Sequence, residues 1–180
     1  MAGLKIEMLG SPILRQKAEE IGEIDEELRI LVEDMFETMY EAEGIGLAGP
    51  QVGIPKRVAV IDVRDEAHPR LALINPRIVA AGKETDKEEE GCLSIPGVSA
   101  LVERPTTVVV EALDAQGQPL RIEAEGLLAR CLQHEIDHLD GILFIDRISP
   151  LKRSMLVKKY KAQLAENGEG SKQRSNGRAG

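Results

Sequence analysis

His134-Glu135-Ile136-Asp137-His138 is the segment of this chain best suited to chemistry. On a helix, histidines at i and i+4 stand one above the other, about 6 Å apart along the axis, so two imidazole nitrogens can converge on one ion at about 2.0 to 2.1 Å. Glu135, directly after the first histidine, has the place of a general base beside such an ion. Two histidines leave a third ligand to be found. Gly141 falls on the glycine of the pattern HExxHxxGxxH, but Phe144 stands where that pattern has its third histidine. His68, in the loop RDEAHPR, reads as a solvated loop residue.

The two cysteines remain. Cys131 lies on the same helix, seven residues before His138 and therefore about 10.5 Å from it along the axis, too far for a short thiol to share an ion held by both histidines. It reads as helix packing. Cys92, in Glu90-Gly91-Cys92-Leu93-Ser94, follows a glycine at which backbone can approach another element closely, and is the better ligand candidate; a buried structural thiol is the alternative. A third segment, Gly44-Ile45-Gly46-Leu47-Ala48-Gly49-Pro50-Gln51-Val52-Gly53, has four glycines in ten residues. It lacks a phosphate-loop lysine and follows a helix where a dinucleotide fingerprint follows a strand, so it is not a nucleotide site. It reads either as a plain connecting loop or as a loop whose Gln51 offers a side-chain amide to an oxyanion.

These residues need elements to hold them. Leu28, Leu31, Val32, Met35, Phe36 and Met39 recur at threes and fours, predicting an amphipathic helix over 25–42 with Asp25 as N-cap and Gly44 past its end. Val58–Val63 and Leu71–Asn75 read as strands, and TTVVVEAL and PLRIEAE flank Asp114-Ala115-Gln116-Gly117 as a hairpin. The histidine helix is expected from about Gly126 to Leu139, stopping at Gly141, with apolar residues almost all round and hence burial on most sides. Ser149–Glu166, with Leu151, Met155, Leu156 and Leu164 among lysines, reads as a peripheral helix, and the polar residues 167–180 as disordered.

Taken together and in order, GIGLAGPQ, EGCLS and QHEIDH resemble the three motifs of the peptide deformylase family, and the likeness extends from the first helix to about Pro150. The basic terminal helix is similar to that of the bacterial type with a C-terminal helical extension. The resemblance implies an α+β fold of antiparallel β-sheets around a central metal-binding helix. It also implies hydrolysis of the N-formyl group from the initiator methionine of new polypeptides, with release of formate. Cys92, His134 and His138 would bind one divalent metal, usually ferrous iron, with zinc, nickel or cobalt able to replace it. Glu135 would act as base and acid, while Gln51 and the backbone N–H of Leu93 would hold the oxyanion. Gly44, Ile45 and Gly46, with Leu127, would receive the peptide and its methionine side chain. Glu43, Glu90 and Arg104 match acidic and basic positions that accompany the motifs, a buried arginine between carboxylates holding the loops in place.

Two departures stand out. Gly49 replaces a common alanine and is expected to loosen its loop. Ser99 stands where many relatives carry a peptide-contacting arginine, and Arg130, one turn before His134, is expected to supply positive charge at the mouth instead. Another metal-dependent amidohydrolase, or a non-catalytic metal-stabilised domain, remain alternatives. Glu135 and Gln51 speak against the second, since a structural site needs neither base nor oxyanion donor.

Composition bounds the rest. At 180 residues and 42% apolar, the chain fits one core, read as a single catalytic domain over 1–166 in which 149–166 is the peripheral helix. Two separated cysteines suit a reducing compartment, and no apolar run suggests a signal peptide or membrane span, so the expected location is the cytoplasm. Net charge is −8, but residues from Arg147 onward carry nine Lys or Arg against Glu166 and Glu169, a net of +7, leaving −15 for residues 1–146. The acidic body is a poor nucleic-acid binder, whereas the basic helix could meet ribosomal RNA as nascent N-formylmethionyl peptides emerge.

Overall fold

The computed structural model describes the backbone of residues 3–176 and the side chains of residues 3–167. Helix α1 (Glu26–Glu41) begins where expected: Asp25 accepts the backbone N–H of Leu28 at 2.9 Å. Its apolar stripe, Leu28, Val32, Met35, Phe36 and Met39, packs on Val58, Val60 and Ile74. Seven strands follow: β1 (Gly46–Ala48), β2 (Val58–Ile61), β3 (Leu71–Ala81), β4 (Thr85–Cys92), β5 (Ile95–Pro105), β6 (Thr107–Leu113) and β7 (Pro119–Glu125). They form a five-stranded antiparallel sheet in the order β1-β2-β3-β6-β7 and a separate two-stranded sheet, β4-β5. The expected hairpin is β6-β7, with Gly117 at φ 81° in its turn. The β4-β5 hairpin has no counterpart in the sequence reading.

Helix α2 (Gly126–Leu139) sits between the two sheets and is buried on most sides, as its apolar periphery implied. Leu128, Ala129, Leu132 and Ile136 face Ile61, Leu73, Val108 and Val110 of the large sheet. Its other face meets β4-β5 through charge: Arg130, His134 and Asp137 of α2 oppose Asp86, Glu90 and Arg104 of the hairpin. The helix ends before Gly141 at φ 75°, where a Cβ would come 2.6 Å from the Arg15 carbonyl oxygen.

The last helix, α3 (Pro150–Asn176), is only partly peripheral. Leu156 and Tyr160 are buried against Ile95, Val98, Val102 and Phe144, whereas Leu151, Met155 and Leu164 are more than half exposed. Of the segment 167–180, read as disordered, residues 167–176 are helical and continue α3, and residues 177–180 lie outside the described residues. The N-terminal segment laces the body together: Glu7 N–H donates to the Gln51 carbonyl at 2.6 Å, Leu9 N–H to Ser94 at 2.9 Å and Ala18 N–H to Leu139 at 2.8 Å.

Candidate metal centre

Three segments distant in sequence converge on one face of α2. His134 and His138 bring their Nε2 atoms to 3.2 Å of each other, and Cys92 Sγ, at the end of β4, lies 3.4 Å from His138 Nε2. Their ligand atoms all fall within 4.8 Å of one another, the one such group of three among the described residues. Helical spacing supplies the two imidazoles, and the β4-β5 turn supplies the thiol. Cys131 is absent from the group and packs in the core, its thiol 3.7 Å from the Ile45 carbonyl, as the axial-rise argument required.

The surroundings suit a cation. His134 Nδ1 meets Glu90 Oε1 at 2.9 Å, an arrangement in which Glu90 holds a proton on Nδ1 and Nε2 is the nitrogen that faces Cys92 and His138. Burial works against positive charge on His134, but Cys92 and Glu90 beside it lift its pKa to about 10. Burial also tends to raise Glu90, yet hydrogen bonds from His134 and Arg104 hold it at about 2, as a permanent anion. The donor set of one thiol and two imidazoles fits a divalent transition ion, and does not by itself select among iron, zinc, nickel and cobalt.

Glu135 turns its Oε1 to 4.0 Å from His134 Nε2, while its Oε2 is buried without a protein partner. Burial pushes this carboxyl up to about 7, against the lowering pull of a charged His134, which is the range suited to taking and returning a proton near neutrality. Gln51 is fixed by its own loop, a 3-10 turn over Gly49–Val52: Oε1 accepts the Ala48 N–H at 3.0 Å. The amide nitrogen is thereby aimed outward, 3.1 Å from Ser94 Oγ and 3.5 Å from Cys92 Sγ. Leu93, next to the thiol, lines the same cleft.

That cleft, about 460 Å³, runs between β1 and the β4-β5 turn. Gly44, Ile45, Gly46 and Leu127 line it together with Gln51, Cys92, His134 and Glu135. A Cβ at Gly46 would lie 2.6 Å from Glu135 Oε1 and 3.0 Å from Cys131 Sγ, so glycine here lets β1 come up to the carboxylate.

Four expectations need correction or extension. Arg130 borders the cleft, but its guanidinium is buried and committed to Glu90 at 2.6 Å, Asp86 at 2.8 Å and the Val102 carbonyl at 2.8 Å, so it offers no spare charge at the mouth. Glu43 is exposed at the rim, with φ 60°, and forms no ion pair among the described residues; the second carboxylate on Arg104 is Asp137, at 2.9 Å. Gly49 provides closeness where looseness was expected, since a Cβ there would stand 2.7 Å from the Lys56 carbonyl oxygen and 2.9 Å from that of Ile54. Ser99 donates to Glu89 at 3.2 Å. Sequence reasoning missed Asp137, Asp86 and Ser94. Asp137 had one available signal: a charge inside a helix that is apolar on nearly all sides has to be paired.

An antiparallel α+β fold wrapped around a helix that offers two histidines, a buried carboxylate and a remote thiol defines a metal-dependent hydrolase. The family model described as Polypeptide deformylase matches residues 4–154. Peptide deformylases from Rhizobium meliloti and Brucella suis are 52% and 53% identical to the chain over 155 and 156 residues, covering 85% and 86% of it and 89% of each relative. Among solved structures, a peptide deformylase from Synechococcus elongatus in complex with actinonin superposes with TM-score 0.84 at 49% identity over 88% of both chains. One from Legionella pneumophila gives 0.87 at 45% identity over 93% of this chain and 98% of that one. The chain belongs to the peptide deformylase family, hydrolases that remove the N-formyl group from nascent peptides.

Proposed function

We propose that this chain hydrolyses the formyl group of N-formylmethionyl peptides in the cleft between β1 and the β4-β5 turn, with Cys92, His134 and His138 holding one divalent ion, ferrous iron in the cell. The observation that carries the reading is the convergence of that donor set with the buried carboxylate of Glu135 and the aimed amide of Gln51. Bound there, such an ion supplies Lewis acidity and makes water acidic enough to attack near neutral pH. Glu135 takes the proton of the attacking water and returns it to the departing amine of methionine, a double role that its raised pKa allows. Gln51 Nε2 and the Leu93 N–H donate to the oxygen on which negative charge develops. The formyl carbon bears only hydrogen, so a tight cavity beside Glu135 would admit it and exclude larger acyl groups.

Strand β1 is an edge of the large sheet and lines the cleft, so Gly44, Ile45 and Gly46 can pair with an extended peptide as an added strand. Ile45, Leu127 and Cys131 wall the pocket that receives the methionine side chain. Glu90 and Arg104 act as positioning residues that hold His134 and the β4 segment against α2. Residues 1–166 work as one catalytic domain in the cytoplasm, and the exposed basic face of α3 docks on the ribosome. No helix among the described residues is long and apolar enough to cross a membrane.

Formate release from formyl-Met-Ala by anaerobically prepared protein, compared with Glu135→Gln, tests the reading. The variant is expected to lose roughly 100- to 10,000-fold in kcat, the range for a general acid–base group, with metal content unchanged. Equal release of acetate from the acetylated peptide would remove the specificity argument. Activity is expected to decay in air with iron and to persist with nickel; equal lifetimes would count against ferrous iron.

A further inference from the structure

A second cluster of polar contacts lies where α1 turns into β1, and none of the roles above uses it. Tyr40, in the last turn of α1, donates its hydroxyl to Asp62 Oδ2 at 2.5 Å. Asp62 follows β2; its backbone N–H donates to the Ile45 carbonyl at 2.9 Å, and its Oδ1 accepts the backbone N–H of Arg64 at 2.8 Å. Arg64 sits in the left-handed region at φ 58°, a conformation that turns its side chain back on the cluster. Its guanidinium lies 5.9 Å from the centroid of the Tyr40 ring and donates to the Gly44 carbonyl at 3.5 Å. The charges agree with the geometry: burial and the neighbouring Asp62 raise the Tyr40 hydroxyl, while the Tyr40 hydrogen bond holds Asp62 below its ordinary value.

The contacts end on Gly44 and Ile45, two residues that line the cleft. β1 itself is only three residues long, is paired on one side alone, begins at Gly46 and is led into by Gly44 and Ile45. A strand of that kind is weakly fixed by its own conformational preferences. A peptide laid on it gains affinity only if the strand is already in place before the peptide arrives.

We propose that Tyr40, Asp62 and Arg64 form a clasp that fixes Gly44 and Ile45, and with Gly44 the outer end of the rail that takes the part of the substrate downstream of formylmethionine. They are positioning residues, acting through Gly44 and Ile45, and the inference rests on the reading that peptide pairs with β1. Gly46 and Ile45 face Glu135 and the methionine pocket, so the dipeptide formyl-Met-Ala makes little use of Gly44, whereas a formylated tetrapeptide runs on past it.

The test is kcat and KM for both peptides in wild type, Arg64→Ala, Tyr40→Phe and Arg64→Lys, with thermal melts to check folding. For Arg64→Ala and Tyr40→Phe, KM for the tetrapeptide is expected to rise roughly 2- to 12-fold, the worth of one net hydrogen bond, with KM for the dipeptide and kcat for both held within about two-fold. Arg64→Lys, which can still donate to the Gly44 carbonyl, is expected to restore most of the tetrapeptide KM. An equal rise for both peptides, a fall in kcat in place of the rise in KM, or no change at all overturns the clasp. Formate release by wild type separates the two readings: its absence defeats the deformylase reading, while the clasp can fail with formate release intact.

Discussion

Glu90 accepts four hydrogen bonds from three side chains: Arg104 Nε and Nη2 at 2.6 and 2.9 Å, Arg130 Nη1 at 2.6 Å and His134 Nδ1 at 2.9 Å. Replacing it with Gln leaves two buried guanidinium groups short of a counter-charge and removes the anion behind His134. Glu90→Gln is expected to lower stability by about 3 to 5 kcal/mol, as for a buried pair broken on one side, and to weaken metal binding roughly 10- to 100-fold. Denaturant melts and a chelator competition titration check both, and a fully stable variant would refute the linchpin role. Gly46→Ala is expected to cut kcat more than KM, because the new Cβ meets the Glu135 carboxylate before it meets peptide. At this scale the sequence was most legible where spacing itself encodes chemistry. His134, Glu135 and His138 fall within five consecutive residues of one helix, so helical geometry fixes their arrangement. Glu90 and Asp137 were harder, since a carboxylate in the run Glu88-Glu89-Glu90 carries no mark that distinguishes the buried one from its solvated neighbours.

The same difficulty explains the missed hairpin. β4 reads TDKEEEGC, and only Glu90 of its residues is buried, so no apolar alternation marks it as a strand. Its inward partners across α2 are charges satisfied by other charges, a solution invisible to a hydrophobic pattern. α1, with an apolar stripe turned inward, and α2, apolar toward the large sheet, were legible to within a residue or two at each end. The first-motif loop gives this scale its own test. Gly49→Ala forces the 3-10 turn away from the Ile54 and Lys56 carbonyls, and is expected to reduce stability by about 1 to 3 kcal/mol. It should also lower kcat, because the turn carries Gln51; an alanine variant with wild-type melting and kcat would mean that the 54–56 segment yields freely.

Across the whole molecule, Asp146 ties three distant parts. It binds Arg15 near the N-terminus, Arg153 of α3 at 3.1 Å and the Leu143 N–H at 2.9 Å. Burial alone would raise its pKa, but these partners hold it below the usual 3.8. Its contribution is therefore complete above that ordinary value and disappears as pH falls toward its depressed one. Asp146→Asn is expected to lower stability at neutral pH and to flatten the fall in stability below about pH 4, read by melts across pH. For the basic helix, deletion is a poor probe, because Leu156 and Tyr160 belong to the core. Lys152, Lys158, Lys159 and Lys161 are exposed, so changing these four to Gln tests ribosome docking with the fold intact. Salt-sensitive ribosome binding is expected to fall while formate release from free peptide is kept; unchanged binding would remove the proposal.

Among the described residues the β4-β5 hairpin pairs in strand fashion with itself alone, and the thiol of Cys92 reaches the two imidazoles of α2 from its far end. An ion held there would be more than a reagent: it would be a removable cross-link between the hairpin and α2, bound by the folded chain and released by the unfolded one, so that its binding free energy adds to stability. Enzyme stripped of metal should thus melt at lower temperature, and be cut first by protease within 85–105, long before the large sheet opens. Loss of the ion would then mark a molecule for clearance as well as silence it.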